Sequence, residues 1–147
     1  MHINENAPVL YRGFIEIDAS AETVWNILSD FESWPRWNPD IESVKLKGRF
    51  GEGAKFSWKT GPGTIRSKLE EIKPQEKLAW AGKTFGIKAI HIWKIEQTDG
   101  GTVVTTEESW DGLHVSVFRK YFGRMLKNSI DNGLKYLRKE AEKTGST

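Results

Sequence analysis

The chain contains no cysteine, and this absence excludes several classes of site at once. Disulfide scaffolds, thiolate zinc sites and cysteine nucleophiles all require a thiol. No apolar run approaches the ~20 residues that a transmembrane helix needs, so we expect no membrane span. Residues Met1–Pro8 contain neither a basic region nor an apolar segment. We therefore expect no secretory signal and place the protein in the cytoplasm.

Strong net charge is also missing, since the formal charge is only +2 over 147 residues. A field this weak gives no indication of nucleic-acid binding. The length is that of one ordinary domain, and we expect a single domain over 1–147 with tails at 1–9 and 144–147. Aromatic side chains, in contrast, are abundant, with seven Trp, seven Phe and three Tyr. So many rings predict a large cavity or an unusually aromatic core.

The apolar pattern predicts a strand, two short helices, six further strands and a long helix. Leu10–Asp18 has the composition of a strand, and Ser20 is placed to cap a helix over Ala21–Phe31. Prolines then limit a second helix to about Phe31–Trp37. Short Gly-rich and Pro-rich turns separate the next strands, which we place at Ile41–Lys47, Ala54–Lys59, Thr64–Lys73, Lys77–Gly82, Ile87–Gln97 and Thr102–Trp110. Connections this short require antiparallel neighbours.

The last predicted element is a helix over Val115–Lys143, roughly 40 Å long at ~1.5 Å per residue. Its apolar stripe comprises Phe118, Phe122, Met125, Leu126, Ser129, Gly133, Leu134 and Leu137. The small residues Ser129 and Gly133 either leave volume beneath the helix or permit close approach of the sheet. The cationic side between Arg119 and Lys143 is either a solvated face or a contact for anionic lipid or an acidic partner.

An antiparallel sheet with one buried face needs a cover, and the terminal helix is the large candidate. We therefore predict an α+β helix-grip fold, a curved seven-stranded antiparallel sheet wrapped around the long C-terminal helix, with two short helices between strands 1 and 2. One helix cannot fill the concave side of such a sheet. Space near one end is the expected origin of an internal pocket.

Several stretches carry a family resemblance, namely Thr23-Val24-Trp25, Asp30-Phe31, Trp34-Pro35-Arg36-Trp37-Asn38-Pro39, Gly51-Glu52-Gly53, Gly100-Gly101-Thr102 and Glu108-Ser109-Trp110-Asp111-Gly112. Over Leu10–Glu142 the chain resembles the polyketide cyclase/dehydrase-like branch of the START-like (SRPBCC) superfamily, which has the birch-pollen-allergen fold. The resemblance implies a cavity for hydrophobic or amphipathic ligands. It implies no single activity, because members include lipid carriers, hormone-binding proteins, aromatase/cyclases and chaperone co-activators.

The last hairpin indicates which side chains face the cavity. If Thr98–Gly101 is its loop, Gln97 pairs with Thr102 and His91 lies opposite Glu108. Alternation then gathers one set on the concave face: His91, Trp93, Ile95, Val104, Thr106, Glu108 and Trp110. Ile90 and Ile92 fall on the outer face, where they could form an apolar patch. A register slip of one residue would reverse the assignment.

His91 and Glu108 are then cross-strand neighbours able to share a proton, which would raise the pKa of the histidine. They form a mutually satisfied structural pair, a polar anchor for a ligand carbonyl or hydroxyl, or an acid–base pair. Two such groups are too few for a catalytic zinc site, and we place His2 and His114 in a tail and a loop. We expect no metal and no cofactor.

These observations predict binding or transport of a small hydrophobic, ring-containing or lipid-like molecule by a monomer or homodimer. The expected ligand-binding residues are Phe56, Trp58, Trp80, His91, Trp93, Thr106, Glu108, Trp110, Phe122, Met125 and Ser129. One alternative is a cyclase, dehydratase or isomerase that uses His91 and Glu108 as catalytic residues. Another is a protein-interaction module like the chaperone co-activators, for which Ile90 and Ile92 would supply the contact surface.

Overall fold

The chain is built around one antiparallel sheet in the computed structural model, which describes residues 1–61 and 63–145. The strands are β1 (Val9–Ile17), β2 (Ile41–Leu46), β3 (Lys55–Thr60), β4 (Gly63–Lys73), β5 (Lys77–Thr84), β6 (Ile87–Thr98) and β7 (Gly101–Asp111). Their spatial order is β1-β7-β6-β5-β4-β3-β2. The predicted meander is therefore confirmed, with small shifts at strand ends, and β1 adds to it beside β7.

Two short helices carry the chain from one edge of the sheet to the other. Helix α1 covers Ala21–Ser29, and a 3₁₀ turn over Phe31–Ser33 leads into α2 at Trp34–Trp37. The predicted cap is confirmed, because the Ser20 hydroxyl accepts a hydrogen bond from the Thr23 amide at 3.1 Å. Pro35 lies in the first turn of α2, where its missing amide proton removes no helical hydrogen bond.

The C-terminal helix is broken rather than continuous. Helix α3 covers Leu113–Val117 and α4 covers Arg119–Gly145, with Phe118 between them at φ −111° and ψ 47°. The single helix predicted over Val115–Lys143 is therefore wrong in its first turn, and His114 lies on α3 rather than in a loop. Of the tail predicted at 144–147, residues 144 and 145 end α4, while 146 and 147 lie outside the described residues.

Helix α4 covers the concave face with a stripe of buried side chains, namely Leu126, Ile130, Leu134, Leu137 and Ala141. Strand β1 passes directly beneath this stripe. A Cβ added to Gly13 would lie 3.0 Å from Cδ1 of Leu134 and 3.2 Å from Cγ2 of Ile130. Glycine at this position therefore allows the helix to lie close to the strand.

Part of the predicted apolar stripe is exposed. Phe118 and Met125 are 59% and 41% exposed, and Ser129 is exposed as well. Met125 and Ser129 each precede a buried residue by one position, which turns them about 100° away from the core. Phe118 follows the buried spacing, but it lies at the break between the two helices.

The N-terminal segment packs on the outer, convex face of the sheet, so the tail predicted at 1–9 is wrong for these residues. Ile3 is 5% exposed and contacts Ala79 and Ile92. The terminal ammonium lies 2.9 Å from a carboxylate oxygen of Glu71. The patch expected from Ile90 and Ile92 is thus covered by the chain itself, which removes the surface on which the interaction-module hypothesis depended.

Candidate functional site

The concave face is the one predicted from the last hairpin. Strands β6 and β7 pair His91 with Glu108 and Trp93 with Thr106, so the predicted register is confirmed. On the other side of β6, Trp80 of β5 lies opposite His91. The His91 ring therefore lies between two indoles, with its centroid 4.8 Å from that of Trp80 and 5.3 Å from that of Trp93.

A cavity of about 60 Å³ opens between this face, α4 and the corner formed by α1 and α2. Its lining residues are Leu28, Trp34, Trp37, Asn38, Asp40, Ile41, Trp58, Thr60, Trp80, His91, Trp93, Ser129, Ile130 and Gly133. Five of the predicted ligand-binding residues belong to this set, namely Trp58, Trp80, His91, Trp93 and Ser129. Gly133 of α4 is buried, and no atom beyond the adjoining helix backbone lies within 4 Å of the position that a Cβ would take, so it leaves volume under the helix; the exposed Ser129 lines the cavity at its rim.

The other predicted residues lie outside this lining. Phe56 is buried in the aromatic core, with its ring centroid 4.7 Å from that of Phe31. Thr106 and Glu108 are buried beside His91, on the neighbouring strand. Trp110 and Phe122 contact each other, with centroids 6.3 Å apart, and Met125 points outward. Apart from Met125, these side chains share the concave side with the pocket residues, but none of the six lines this cavity.

The corner between α2 and β2 contributes the residues that the strand pattern did not reveal. Trp34, Trp37, Asn38 and Asp40 line the cavity from this side, and Ile41 begins β2 beside them. The Trp-Pro-x-Trp-Asn-Pro motif marks the segment, but its rings could equally have anchored the turn alone. Trp34 does so, since its indole N–H donates to the carbonyl oxygen of Leu28 at 2.9 Å.

Two indole N–H groups of the lining are buried without a hydrogen-bond partner, those of Trp37 and Trp93. The indole of Trp58, by comparison, donates to the hydroxyl of Ser67 at 3.2 Å. A buried donor left unpaired costs about 1–3 kcal/mol. An acceptor atom on a molecule bound in the cavity would remove part of this cost.

The polar atoms of His91 are directed along the sheet. Its Nε2 lies 2.8 Å from the hydroxyl oxygen of Thr106, and that hydroxyl donates to the carbonyl oxygen of Ile92 at 3.1 Å. Thr106 therefore accepts from His91, which assigns the proton of the neutral ring to Nε2. Nδ1 is then a bare lone pair, 3.2 Å from Oε1 of Glu108, with no aligned hydrogen bond joining the two atoms.

Burial dominates the titration of this pair. It lowers the pKa of His91 to about 3 and raises the pKa of Glu108 to about 7, although the Trp110 N–H bond to Glu108 opposes the second shift. The expected rise in the pKa of the histidine is therefore wrong, because desolvation outweighs the neighbouring carboxyl group. A proton on Glu108 would also remove the repulsion between two facing lone pairs, since its O–H could donate to Nδ1.

The cavity lining carries no lysine or arginine, and its only carboxylate is that of the exposed Asp40. With His91 neutral, nothing in the lining compensates a buried negative charge. The pocket is therefore suited to uncharged molecules.

No three histidine, aspartate or glutamate side chains lie together as metal ligands in the described part of the chain. Nor does any helix within residues 1–61 and 63–145 have the length and apolar composition needed to cross a bilayer. The cytoplasmic location, the oligomeric state and the lack of nucleic-acid binding stay predictions.

Comparison with known proteins places the chain in a family. Residues 9–142 match the family model described as polyketide cyclase / dehydrase and lipid transport. The chain belongs to this family. No curated protein is similar enough in sequence to count as a match.

Solved structures with the same fold have low sequence identity to this family member. A START superfamily protein from Mycobacterium smegmatis has a TM-score of 0.80 at 18% identity, over 92% of this chain and 98% of that one. The ZhuI aromatase/cyclase from Streptomyces sp. R1128 has a TM-score of 0.79 at 15% identity, over 90% and 93% of the two chains. The di-domain ARO/CYC StfQ from the steffimycin biosynthetic pathway has a TM-score of 0.80 at 17% identity, over 95% of this chain and 52% of that one. The START-like helix-grip fold is thereby confirmed.

Proposed function

We propose that the protein binds a small, neutral, ring-containing molecule that carries a hydrogen-bond acceptor. The observation that carries this proposal is the pair of buried, unpartnered indole donors of Trp37 and Trp93 in a lining that is mostly aromatic and aliphatic. Ligand pockets typically combine apolar walls with a few polar groups that fix orientation. The buried N–H groups that lack a partner are donors, so the ligand would supply the acceptor.

The walls of the cavity favour a ring. Trp80, His91 and Trp93 form a row of neighbouring rings on the sheet, and Trp34 lies 5.4 Å from Trp80 between centroids. A ligand ring held among such faces gains about 0.5–1.5 kcal/mol per aromatic contact beyond its area burial. An open-chain ligand of equal size would gain less from these walls.

Charge and size narrow the ligand further. A carboxylate would be buried without a cation, which is costly, so fatty acids and aromatic acids fit less well than ketones, esters or amides. The cavity volume of about 60 Å³ is well below the ~300–1,000 Å³ of drug-sized pockets. A single small ring is therefore the ligand that fits with least rearrangement, and larger ligands require Trp37 at the corner to move.

The test compares three probes with one common ring: acetophenone, benzoate and ethylbenzene. Indole N–H resonances in a ¹⁵N-labelled sample report each tryptophan separately once assigned by Trp→Phe variants. We expect acetophenone to bind most tightly and to shift the Trp37 and Trp93 resonances downfield. Ethylbenzene offers no acceptor, and benzoate carries the uncompensated charge, so both should bind more weakly.

Matched variants separate the contribution of each indole N–H donor from that of the aromatic ring in the cavity wall. Trp93→Phe and Trp37→Phe each retain a ring and should weaken acetophenone binding by roughly 2- to 10-fold, as expected for one hydrogen bond. Trp110→Phe, which lies outside the cavity lining, should leave the affinity unchanged. Tighter binding of benzoate than of acetophenone, or no shift at either indole with any probe, would contradict the proposal.

An aromatase/cyclase-type reaction is the second candidate, since ZhuI and StfQ bear that designation. The feature that favours it is a buried carboxyl, Glu108, whose pKa is raised to about 7 next to His91. Both nitrogens of His91 face β7, however, and Glu108 does not line the cavity. Acid–base chemistry on a bound ligand would need one of them to turn, so binding alone is better supported.

A further inference from the structure

An exposed apolar surface lies at the end of the molecule where β7 leads into the C-terminal helices. Four of its side chains come from the C-terminal helices, and each is more than half exposed: Leu113 and Val117 of α3, Phe118 at the break, and Tyr121 in the first turn of α4. Phe85, at the tip of the turn between β5 and β6, is 72% exposed. We call these five side chains the end patch.

The turn that carries Phe85 lies beside the start of α3, and the Phe85 ring itself packs over Gly63 of β4. Gly86 follows Phe85 and lies against the His114 ring, since a Cβ added to Gly86 would be 3.3 Å from Cε1 of that histidine. The turn between β5 and β6 therefore meets the start of α3. Phe85 itself has a positive φ of 46°, a backbone conformation that residues other than glycine rarely adopt. Large apolar side chains thus project from two separate segments at one end of the molecule.

The charges around the end patch are mainly positive, although the exposed carboxylate of Asp111 lies just before Leu113. From Gly112 to Ile130 the sequence contains no aspartate or glutamate. The same stretch includes Arg119, Lys120 and Arg124, which are exposed and form no ion pair within residues 1–61 and 63–145. The local excess of positive charge is therefore concentrated beside the apolar side chains, although the whole chain carries only +2.

We propose that the end patch is a docking surface for a membrane that contains anionic phospholipids. Its apolar side chains would enter the boundary between headgroups and acyl chains, while Arg119, Lys120 and Arg124 contact lipid phosphates. Surface helices that bind membranes combine these two features, an apolar face and flanking Lys or Arg. This inference is independent of the ligand pocket and does not require the proposed function.

Charge and shape favour this occupant over a protein. A second copy of the chain would bring two cationic surfaces together, which opposes self-association through the patch. The side chains protrude from a turn and from helix surfaces rather than lining a groove, so they offer no pocket for an anchor residue of a protein partner. A bilayer interface accepts protruding apolar groups without shape complementarity.

The experiment is co-sedimentation of the full chain with vesicles of phosphatidylcholine alone or of phosphatidylcholine mixed with phosphatidylglycerol. We expect binding to the mixed vesicles, falling as salt is raised, because the attraction to the headgroups is screened. Arg119→Gln combined with Lys120→Gln should weaken binding about 30-fold, at ~1 kcal/mol per cation. Leu113→Ser combined with Phe118→Ser should weaken it by at least about tenfold.

The chain offers matched controls for both kinds of variant. Phe14 is also exposed, at 71%, but lies in the middle of β1, and Phe14→Ser should bind vesicles like the unaltered chain. Lys45 lies on the opposite edge strand β2 and Lys47 directly follows that strand, and both are exposed. Lys45→Gln combined with Lys47→Gln should weaken vesicle binding less than the Arg119 and Lys120 pair of substitutions. Circular dichroism and thermal unfolding verify that each variant is folded.

Three results would overturn the proposal. The first is no binding of the unaltered chain to the mixed vesicles at low salt. The second is equal loss of binding in the Phe14 control and in the end-patch variants, which would make the interaction nonspecific. If the end-patch variants instead abolish a concentration-dependent dimer seen by analytical ultracentrifugation, without changing vesicle binding, the occupant is a second copy and the membrane proposal is wrong.

Discussion

His91 and Glu108 are close enough for one proton to lie between Nδ1 and Oε1, which are 3.2 Å apart. The other nitrogen of the ring is engaged by Thr106, and the other carboxylate oxygen accepts from the Trp110 N–H at 2.8 Å. Every polar atom of the pair thus faces either its partner in the pair or another residue of β7. Of the three hypotheses for this pair, the structural one accounts for the most contacts.

The pair gives stability a defined pH dependence. The pKa of Glu108 is raised from 4.5 to about 7, so its favourable contribution is full below about pH 4.5 and is lost as the pH rises through 7. The pKa of His91 is lowered from 6.5 to about 3, so its contribution is present above about pH 6.5 and is lost as the pH falls toward 3. The two effects oppose each other between these limits.

Glu108→Gln isolates the first effect, because glutamine retains an acceptor for Trp110 and cannot ionise. We expect the free energy of unfolding of this variant, relative to the unaltered chain, to increase between about pH 4.5 and pH 7 by on the order of 1–2 kcal/mol. Urea unfolding across this range measures it. Glu96→Gln, which removes an exposed carboxylate from the convex side of β6, should show no such trend. A parallel trend in both variants would assign the effect to net charge instead.

The face on which each of these residues lies was predictable from the sequence. The Gly-rich loop fixed the register of the last hairpin, which placed His91 opposite Glu108. The alternation of side chains along each strand then assigned both residues to the concave face. The unpaired indoles of Trp37 and Trp93 were not predictable. Whether a buried donor finds a partner depends on how α2 is positioned against β6, and no local pattern encodes that distance.

The helices illustrate the same limit at the scale of elements. The apolar spacing of Phe118, Phe122 and Leu126 continues without a change of period, and no proline lies between Gly112 and Lys143. Nothing local therefore predicts the break at Phe118. The structure has two helices there, and the turns nearest the break extend the apolar pattern onto an exposed surface.

The N-terminal segment is an element that composition alone misrepresented as a tail. Met1–Pro8 has no strand or helix pattern, yet Ile3 is buried against Ala79 and Ile92. Lys77 and the terminal ammonium both approach Glu71, at 2.8 and 2.9 Å. The outer face of β5 and β6 is therefore apolar because it is covered, and the alternating pattern of β6 alone could not reveal the cover.

Ile3→Ala measures how much this cover contributes. We expect the free energy of unfolding to fall by about 2 kcal/mol, the lower end of the range for buried isoleucine, since the cluster is small. His2→Ala alters the exposed neighbour and should change stability by less than about 0.5 kcal/mol. Equal stability of the two variants in urea unfolding would mean that the segment is not held on the sheet in solution.

At the scale of the whole molecule, element order was enough to predict the helix-grip fold. A meander of antiparallel strands with one buried face needs a cover, and only one long helix was present to supply it. The same argument predicted the presence of a pocket, but it did not predict the volume of that pocket. Aromatic and aliphatic side chains together fill the concave side and leave about 60 Å³, a volume that depends on how all of them pack.

The position of β1 has a consequence for the order of assembly. Its partner is β7, with Val9 opposite Trp110 and Ile17 opposite Thr102, whereas β6 and β7 meet through a short turn between Thr98 and Gly101. Pairing β1 with β7 closes a much longer loop than the β6–β7 turn does, and closing a longer loop costs more entropy before any stabilising contact forms. During synthesis, β1 emerges first and must wait for the last strand before it can pair.

We therefore expect pulse-labelled hydrogen exchange during refolding to protect amides of the β6–β7 pair before those of β1. Early protection of β1, at the same time as the hairpin, would contradict this order. Until β7 arrives, the first strand has no neighbouring strand with which to pair. The interval in which the chain is most exposed to aggregation is then set by how quickly its two ends meet.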